Sequence, residues 1–159
     1  MNYIQIFCYF IEQKKLPKEK LPQIKKNLIY EIERLILEGG IYFFCGISEG
    51  FNILAIHTVL KLKEKFPHIK LVLVLPYKQQ ELILDKKEKE LYNEFKDKAD
   101  DVIFLVDVFS AYCAKKGTEH ILDSCGAIIC YIIKDNDFTE ILSYAKSKDI
   151  KIINIALDL

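Results

Sequence analysis

The stretch Leu71-Val72-Leu73-Val74-Leu75 decides the fold class of this chain. All of its residues are apolar, whereas a strand with one face in water alternates apolar and polar side chains. Pro76 follows at once and lacks the N–H group that a regular ladder of backbone hydrogen bonds needs. We therefore predict a strand over Lys70–Leu75 that is buried on both faces, as in the parallel sheets of α/β proteins.

Apolar runs of strand length alternate with stretches of helical periodicity on both sides of this strand. The predicted strands are Tyr3–Phe10, Ile41–Cys45, Lys70–Leu75, Val102–Val106, Ala127–Ile133 and Lys151–Ala156. The predicted helices are Pro22–Glu38, the stretch from the turn at Gly50 up to Pro67, Gln79–Lys98, Tyr112–Ser124 and Phe138–Lys148. This alternation predicts an α/β protein in which helices cover both faces of a mostly parallel sheet of about six strands.

Length and charge restrict the organisation and the partners. A chain of 159 residues fits one domain, and we expect residues 1–159 to form it. The 23 basic residues balance the 23 acidic ones, and only Arg34 is an arginine, so we do not expect nucleic acid or a membrane as a partner. No apolar run reaches the roughly 18 residues of a spanning helix, and no signal peptide is visible, so we expect a cytoplasmic protein.

Cysteine and charge patterns indicate structure rather than chemistry. The five cysteines include no Cys-x-x-Cys pair and most lie in apolar runs, so we expect them to act as small buried apolar residues. No spacing of His, Cys or Glu is typical of a metal site, and we assign no metal or cofactor. The mixed charges at 85–90 predict a solvated helix face.

The first candidate ligand segment joins the second predicted strand to its helix. Ligands of open parallel sheets bind beyond the carboxyl ends of the strands. Here Gly46 and Gly50 allow a backbone to approach a phosphate, Ser48 offers a hydroxyl, and Asn52 lies on the first helical turn. The segment lacks the Walker and Gly-x-Gly-x-x-Gly patterns, and its glycines can equally serve only the backbone angles of a turn.

Two further segments follow predicted strands. Tyr77, after Pro76, is suited to stacking on a base and Gln80 to hydrogen bonding, although an ordinary strand exit has the same composition. Lys116, with Thr118 after it, is suited to holding phosphates as a point charge, although lysines more often face solvent. Carboxylates available for acid or base chemistry are Glu49, Glu119 and Asp123.

Several of these stretches together resemble a known family. The stretches are 50–52, 61–71, 74–80, 99–102 and 122–124. They are similar to the DUF1273 (YpsA-like) family of the SLOG superfamily, whose relatives include the DNA-processing protein DprA and LOG phosphoribohydrolases. The resemblance implies a Rossmann-like single domain, a three-layer α/β/α sandwich, that is often oligomeric and binds a nucleotide or a nucleotide-derived ligand.

The chain departs from the family pattern in its ligand-facing loops. Ile47 stands where relatives have a second glycine, and we expect it to narrow the approach to a phosphate. Asn52 replaces a carboxylate, and Gly117-Thr118 replaces an Arg-Asn pair. The stretch 9–13 lacks the Gly, His and Arg that relatives carry after the first strand, and the Gly-Gly-Thr turn expected after the fifth strand is missing, with 134–137 nearby.

Three functions are consistent with these residues. We favour a nucleotide-binding module or sensor, because altered loops weaken transition-state stabilisation more than folding. The alternatives are a domain kept for contacts with a protein partner, and an enzyme that cleaves an N-glycosidic bond with Glu49 or Asp123 as acid or base. The candidate ligand-binding residues are Gly46, Ser48, Glu49, Gly50, Asn52, Pro76, Tyr77, Gln80, Lys116, Thr118 and Asp123.

Overall fold

Strands and helices alternate along the chain in a computed structural model that describes residues 4–8, 16–47, 50–77, 85–106, 111–133 and 139–158. The strands are β1 (Ile4–Cys8), β2 (Gly40–Gly46), β3 (Lys70–Tyr77), β4 (Asp101–Val106), β5 (Cys125–Cys130) and β6 (Lys151–Asn154). The helices are α1 (Leu21–Leu37), α2 (Phe51–Lys65), α3 (Lys86–Lys96), α4 (Ala111–Asp123) and α5 (Thr139–Ser147). Short 3-10 helices lie at Lys18–Lys20 and Ile155–Asp158.

The six strands form one sheet in the order β4-β3-β2-β1-β5-β6, and every neighbouring pair is parallel. The chain moves outward from β1 to β4 and then returns to the other side of β1 to add β5 and β6. The order therefore reverses between β1 and β5, which is the topological switch point of a doubly wound sheet. The predicted Rossmann-like α/β class is confirmed.

Two cores cover the two faces of the sheet. Leu71, Leu73 and Leu75 of β3 pack with α1, α2 and α3, whereas Val72 and Val74 pack with α4 and α5. None of these five side chains is more than 6% exposed. The prediction that this strand is buried on both faces is confirmed, because successive side chains of a strand point to opposite faces.

Helix α1 illustrates how local sequence sets an element. Its buried residues recur at three- and four-residue spacing: Ile24, Leu28, Ile32, Leu35 and Ile36. Pro22 lies in its first turn, where a missing N–H group costs no hydrogen bond. Gly39 follows the helix with a φ of +108°, a backbone angle that favours glycine, so the chain turns directly into β2.

Some element ends differ from the predictions. The fifth strand ends at Cys130 rather than Ile133, and the last strand ends at Asn154 rather than Ala156. The Asn154 side chain explains both ends, since its Oδ1 accepts from the N–H groups of Ile132 (3.0 Å) and Ala156 (3.1 Å). Its Nδ2 donates to the carbonyl of Ile132 (2.9 Å). Beyond Cys130, the backbone of this segment is therefore hydrogen-bonded to the Asn154 side chain instead of to the backbone of β6.

Other predictions fall partly outside the described residues. The helix predicted from Gln79 is described as α3 from Lys86, and residues 78–84 lie outside the description. Cys45, Cys125 and Cys130 are buried, as predicted, while the side chains of the other two cysteines are not described. Within the described ranges no three metal-ligating side chains cluster, and no helix is both long and apolar enough to cross a membrane.

Asp100 joins three elements at the edge where the strands begin. Its carboxylate accepts hydrogen bonds from the Lys63 side chain at the end of α2 and from the N–H of Leu71 in β3 (2.8 Å). Its own N–H donates to the Leu71 carbonyl (2.8 Å), and Lys70 Nζ lies 3.9 Å away. Partial burial raises the pKa of Asp100, but these hydrogen bonds and the two lysine charges outweigh it and lower the pKa below 3.8.

We expect Asp100→Asn to lower the free energy of unfolding by about 1–2 kcal/mol at pH 7, because the amide cannot replace the charged acceptor. Because the pKa of Asp100 is lower in the folded state than in the unfolded state, its carboxylate stabilises the fold at pH values above the unfolded-state pKa. This stabilisation is lost as the pH falls through the folded-state pKa. Urea unfolding at several pH values should therefore show the difference from the wild type shrinking below about pH 4. The control is Asp97→Asn, because Asp97 is exposed. If this substitution lowers the free energy of unfolding as much as Asp100→Asn does, the stabilising role of Asp100 is contradicted.

Candidate ligand site at the carboxyl edge

The connection from β2 to α2 opens at the edge where the parallel strands end, which we call the carboxyl edge. Strand β2 ends at Gly46 and α2 begins at Phe51. The N–H of Leu54 donates to the carbonyl of Gly50 (3.3 Å), so the preceding N–H groups of the first turn have no partner within the helix. Gly50 has no side chain to cap them, and this turn has no acidic residue. Such a helix start attracts an anion.

Gly50 has a φ of +90° and a ψ of −124°, a conformation open to glycine and costly for other residues. It lets the chain turn sharply into α2. The backbone angles alone therefore explain why this residue is glycine, and contact with a ligand would be a second role.

Asn52 is the second residue of α2 and is only 1% exposed. Within the part of the chain that the structure describes, neither its Nδ2 nor its Oδ1 has a hydrogen-bond partner. A buried polar group without a partner costs about 1–3 kcal/mol, and native proteins contain few of them. An unpartnered amide beside an uncapped helix start is the most unusual polar feature in the described part of this edge.

Gly46 provides the space that this amide occupies. A Cβ atom added at Gly46 would lie 2.9 Å from Nδ2 of Asn52 and 3.8 Å from the carbonyl oxygen of Val74. The first distance is shorter than real Cβ contacts, so any larger residue would displace the amide. Gly46 therefore serves close packing, and it holds the Asn52 amide against the end of β2.

Ile47 lies directly after β2 and is 5% exposed. It packs in the core that α1, α2 and α3 share, where Phe51 also lies. The branched side chain thus anchors the start of the connection in the protein interior. Its packing does not support the expectation that it narrows the approach of a ligand.

An aromatic contact crosses the carboxyl end of β1. Tyr131 follows β5, and its ring centroid lies 6.3 Å from that of Phe51 at the start of α2. Both side chains are buried, and β2 and β5 flank β1 on its two sides. Burial, followed by the negative charge of Glu19, raises the pKa of Tyr131 above its ordinary value of 10.0.

Pro76 and Tyr77 are the last residues of β3, which extends two residues beyond the predicted end. Tyr77 pairs in register with Val106, whereas the last β3 residue paired with β2 is Val74. Proline is tolerated here because β2 has already ended. Both residues reach the same edge as Gly46, but their side chains are not described, and Ser48, Glu49 and Gln80 lie outside the described residues.

The structure does not bring Lys116, Thr118 or Asp123 to Asn52. All three lie on α4, which packs on the face of the sheet opposite α2. Lys116 is exposed and lies 3.6 Å from Glu119. Lys116 lies inside α4, as its predicted helix implied, but on the face of the sheet opposite Asn52, so this placement does not support the interpretation that it holds a phosphate there.

Asp123 is the last residue of α4, about 18 Å from the start of that helix and next to the beginning of β5. It accepts a hydrogen bond from the Tyr144 hydroxyl of α5. That hydrogen bond and then burial raise the pKa of Tyr144 to about 12. Asp123 therefore joins two helices at the edge where β5 begins, and we leave it out of the candidate site.

Sequence reasoning missed Tyr131 and Phe51 as parts of this edge. The available signal was weak: an aromatic residue directly after an apolar run, and another directly after a glycine turn. Neither pattern indicates that β5 pairs with β1 on the side away from β2. This strand order brings the two rings together.

Comparisons with known proteins show the family of this chain. The family model of YpsA, described as the YspA SLOG family, matches residues 10–156. This chain belongs to the YpsA family of SLOG proteins. The match covers strands β2 to β6 and the whole β2–α2 connection, whereas β1 precedes it.

Individual relatives agree with this membership. The chain is 28% identical to the SPbeta prophage-derived protein YoqJ of Bacillus subtilis over 138 residues, which cover 78% of this chain and 81% of YoqJ. It is 33% identical over 79 residues to the UPF0398 protein BH1768 of Halalkalibacterium halodurans and 31% identical over 77 residues to a UPF0398 protein of Brevibacillus brevis. These two matches cover about half of this chain and 42% and 41% of the relatives.

Proposed function

We propose that this SLOG-family protein is a binding module for a nucleotide or a nucleotide derivative, and that the ligand binds where β2 meets α2. The single observation that carries the proposal is the start of α2, which presents uncapped N–H groups beside the buried, unpartnered amide of Asn52. The N–H groups and the helix dipole suit a phosphate. The amide suits a second polar group of the same ligand.

Family membership supports the proposal at a coarser level. The chain has the Rossmann-like sheet of the SLOG family, and sheets of this type bind ligands at the carboxyl edge. The start of α2 lies at this edge, next to the ends of β1 and β3.

An enzyme of the N-glycosidic type is less well supported. Such a reaction needs a carboxylate positioned beside the reacting bond. Of the two proposed carboxylates, Asp123 is bound to Tyr144 at the opposite edge of the sheet, and Glu49 lies outside the described residues. Tyr77 and Pro76 remain proposed contributors to ligand binding, since β3 brings their backbone to the carboxyl edge.

The proposal predicts that a nucleotide raises the melting temperature. Thermal unfolding is followed with AMP, GMP, CMP, UMP, nicotinamide dinucleotides and ADP-ribose, each against sodium chloride at the same ionic strength. A ligand at one hundred times its Kd stabilises the folded state by about 2.7 kcal/mol, which shifts the melting temperature by several degrees. No shift with any of these compounds would contradict the proposal and favour a domain kept for protein contacts.

A further inference from the structure

We infer that Asn52 sets the specificity of this site: it selects a ligand group that presents a hydrogen-bond donor next to an acceptor, and it rejects groups that present acceptors alone. The inference rests on the proposed function and adds to it the chemistry of the part of the ligand that reaches the amide. It starts from the fact that both ends of the Asn52 amide lack a partner.

The amide is held in place before any ligand arrives. Asn52 is on the first turn of a helix of 15 residues, and its Nδ2 packs so close to Gly46 that a Cβ atom added there would lie only 2.9 Å away. The side chain is 1% exposed, so a hydrogen bond made there does not compete with water. Hydrogen bonds in such a place discriminate strongly, because a ligand that lacks the matching group leaves buried polar atoms unpaired.

The two atoms of the amide require different partners. Nδ2 can only donate and Oδ1 can only accept. Sulfate or a fully ionised phosphate offers acceptors alone and leaves Oδ1 unpaired. The vicinal hydroxyls of a ribose, or the edge of a nucleobase, offer a donor beside an acceptor. The uncharged part of a nucleotide therefore suits Asn52, and its phosphate suits the N–H groups of the first turn of α2.

A carboxylate at this position would select differently. A carboxylate accepts hydrogen bonds but does not donate them, so a ligand acceptor that pairs with Nδ2 in this chain would be left unpaired. Asn52→Asp should therefore weaken the binding of a nucleotide that presents an acceptor to Nδ2.

The test compares four proteins by titration calorimetry: the wild type, Asn52→Leu, Asn52→Asp and the control Thr58→Val. Thr58 is also a buried polar residue of α2, but its hydroxyl is satisfied by the Leu54 carbonyl (2.7 Å). The probes are sulfate and whichever of AMP, GMP, CMP and UMP gives the largest thermal shift. We expect both Asn52 variants to lose about tenfold or more in affinity for the nucleotide and Thr58→Val to lose none. Sulfate affinity should be unchanged in Asn52→Leu.

Two more probes identify the group that meets the amide. A loss of affinity for the 2′-deoxy form of the same nucleotide indicates the ribose hydroxyls. Full affinity for the 2′-deoxy form, with none for ribose 5-phosphate, indicates the base edge. Either result supports the inference.

Failure of this inference can be told apart from failure of the proposed function. If the wild type binds the nucleotide and Asn52→Leu binds it equally well, Asn52 does not set specificity, while the proposed function stands. If the wild type binds none of the nucleotides, both are overturned. The melting temperature of unliganded Asn52→Leu shows that the variant folds; we expect it to equal or exceed the wild-type value, because the substitution removes two unsatisfied atoms.

Discussion

Asn154→Ala is expected to lower the free energy of unfolding by about 3 kcal/mol. The side chain of Asn154 makes three hydrogen bonds at the end of β6: it accepts from the N–H groups of Ile132 and Ala156 and donates to the carbonyl of Ile132. Alanine removes all three and leaves these backbone groups without partners. Ile132 is only 3% exposed, so water does not readily replace the lost bonds.

Urea unfolding followed by circular dichroism measures this loss. Asn27→Ala is the matched control, since the Asn27 side chain accepts a hydrogen bond from Gln23 on the exposed side of α1 (2.9 Å) and should contribute less than about 0.5 kcal/mol. Equal effects of the two substitutions would show that the Asn154 hydrogen bonds do not hold the end of the sheet.

The same substitution links stability to the candidate site. Asn154 holds the backbone of Ile132, and Tyr131, the residue before it, contacts Phe51 at the start of α2. Loosening this segment should disturb the aromatic contact. We therefore expect Asn154→Ala to weaken nucleotide binding as well, even at a temperature where the variant is fully folded.

Gly117→Val is expected to destabilise the protein by about 3 kcal/mol, although glycine is normally the weak residue in a helix. A Cβ atom at Gly117 would lie 2.8 Å from Cβ of Leu105 and 3.2 Å from its carbonyl oxygen. These atoms belong to β4 or are attached directly to its backbone, so they cannot rotate away. Helix α4 would have to move off the sheet to admit the larger side chain.

His120→Val is the control for this prediction, because His120 is an exposed residue of the same helix. His and Val have similar helix propensities, so the control should change the stability by less than about 0.5 kcal/mol. A stabilising effect of Gly117→Val, measured by the midpoint of urea unfolding, would mean that α4 does not pack closely on β4. The departure from the family's Arg-Asn pair at Gly117-Thr118 thus has a structural consequence in this chain.

The resemblance to the family depended in part on residues that serve folding. The stretches 61–71 and 99–102 contain Lys63, Leu71 and Asp100, which form the hydrogen-bonded cluster where β3 and β4 begin. This cluster is at the opposite edge of the sheet from Asn52. Similar sequence in these stretches therefore supports the fold more directly than it supports a ligand.

The candidate site was predictable only in part. Gly46, Gly50 and Asn52 were identified because a strand, a glycine turn and a helix follow one another closely in the chain. Lys116, Thr118 and Asp123 were placed near the ligand because the segment follows a strand, but α4 packs on the other face and carries Asp123 to the far edge. Sequence neighbours of a strand end do not reveal which face the next helix will cover.

The sequence by itself determined the α/β class and most of the elements, because helical and strand periodicity are local: the spacing of Ile24, Leu28 and Ile32 and the unbroken apolar run 71–75 are visible without any neighbour. Only the tertiary structure decided the strand order, the contact of Phe51 with Tyr131, and the isolation of the Asn52 amide. An apolar strand must be covered by other elements, but its sequence does not specify which ones. Likewise, the hydrogen-bonding state of a side chain depends on atoms brought to it from distant parts of the chain.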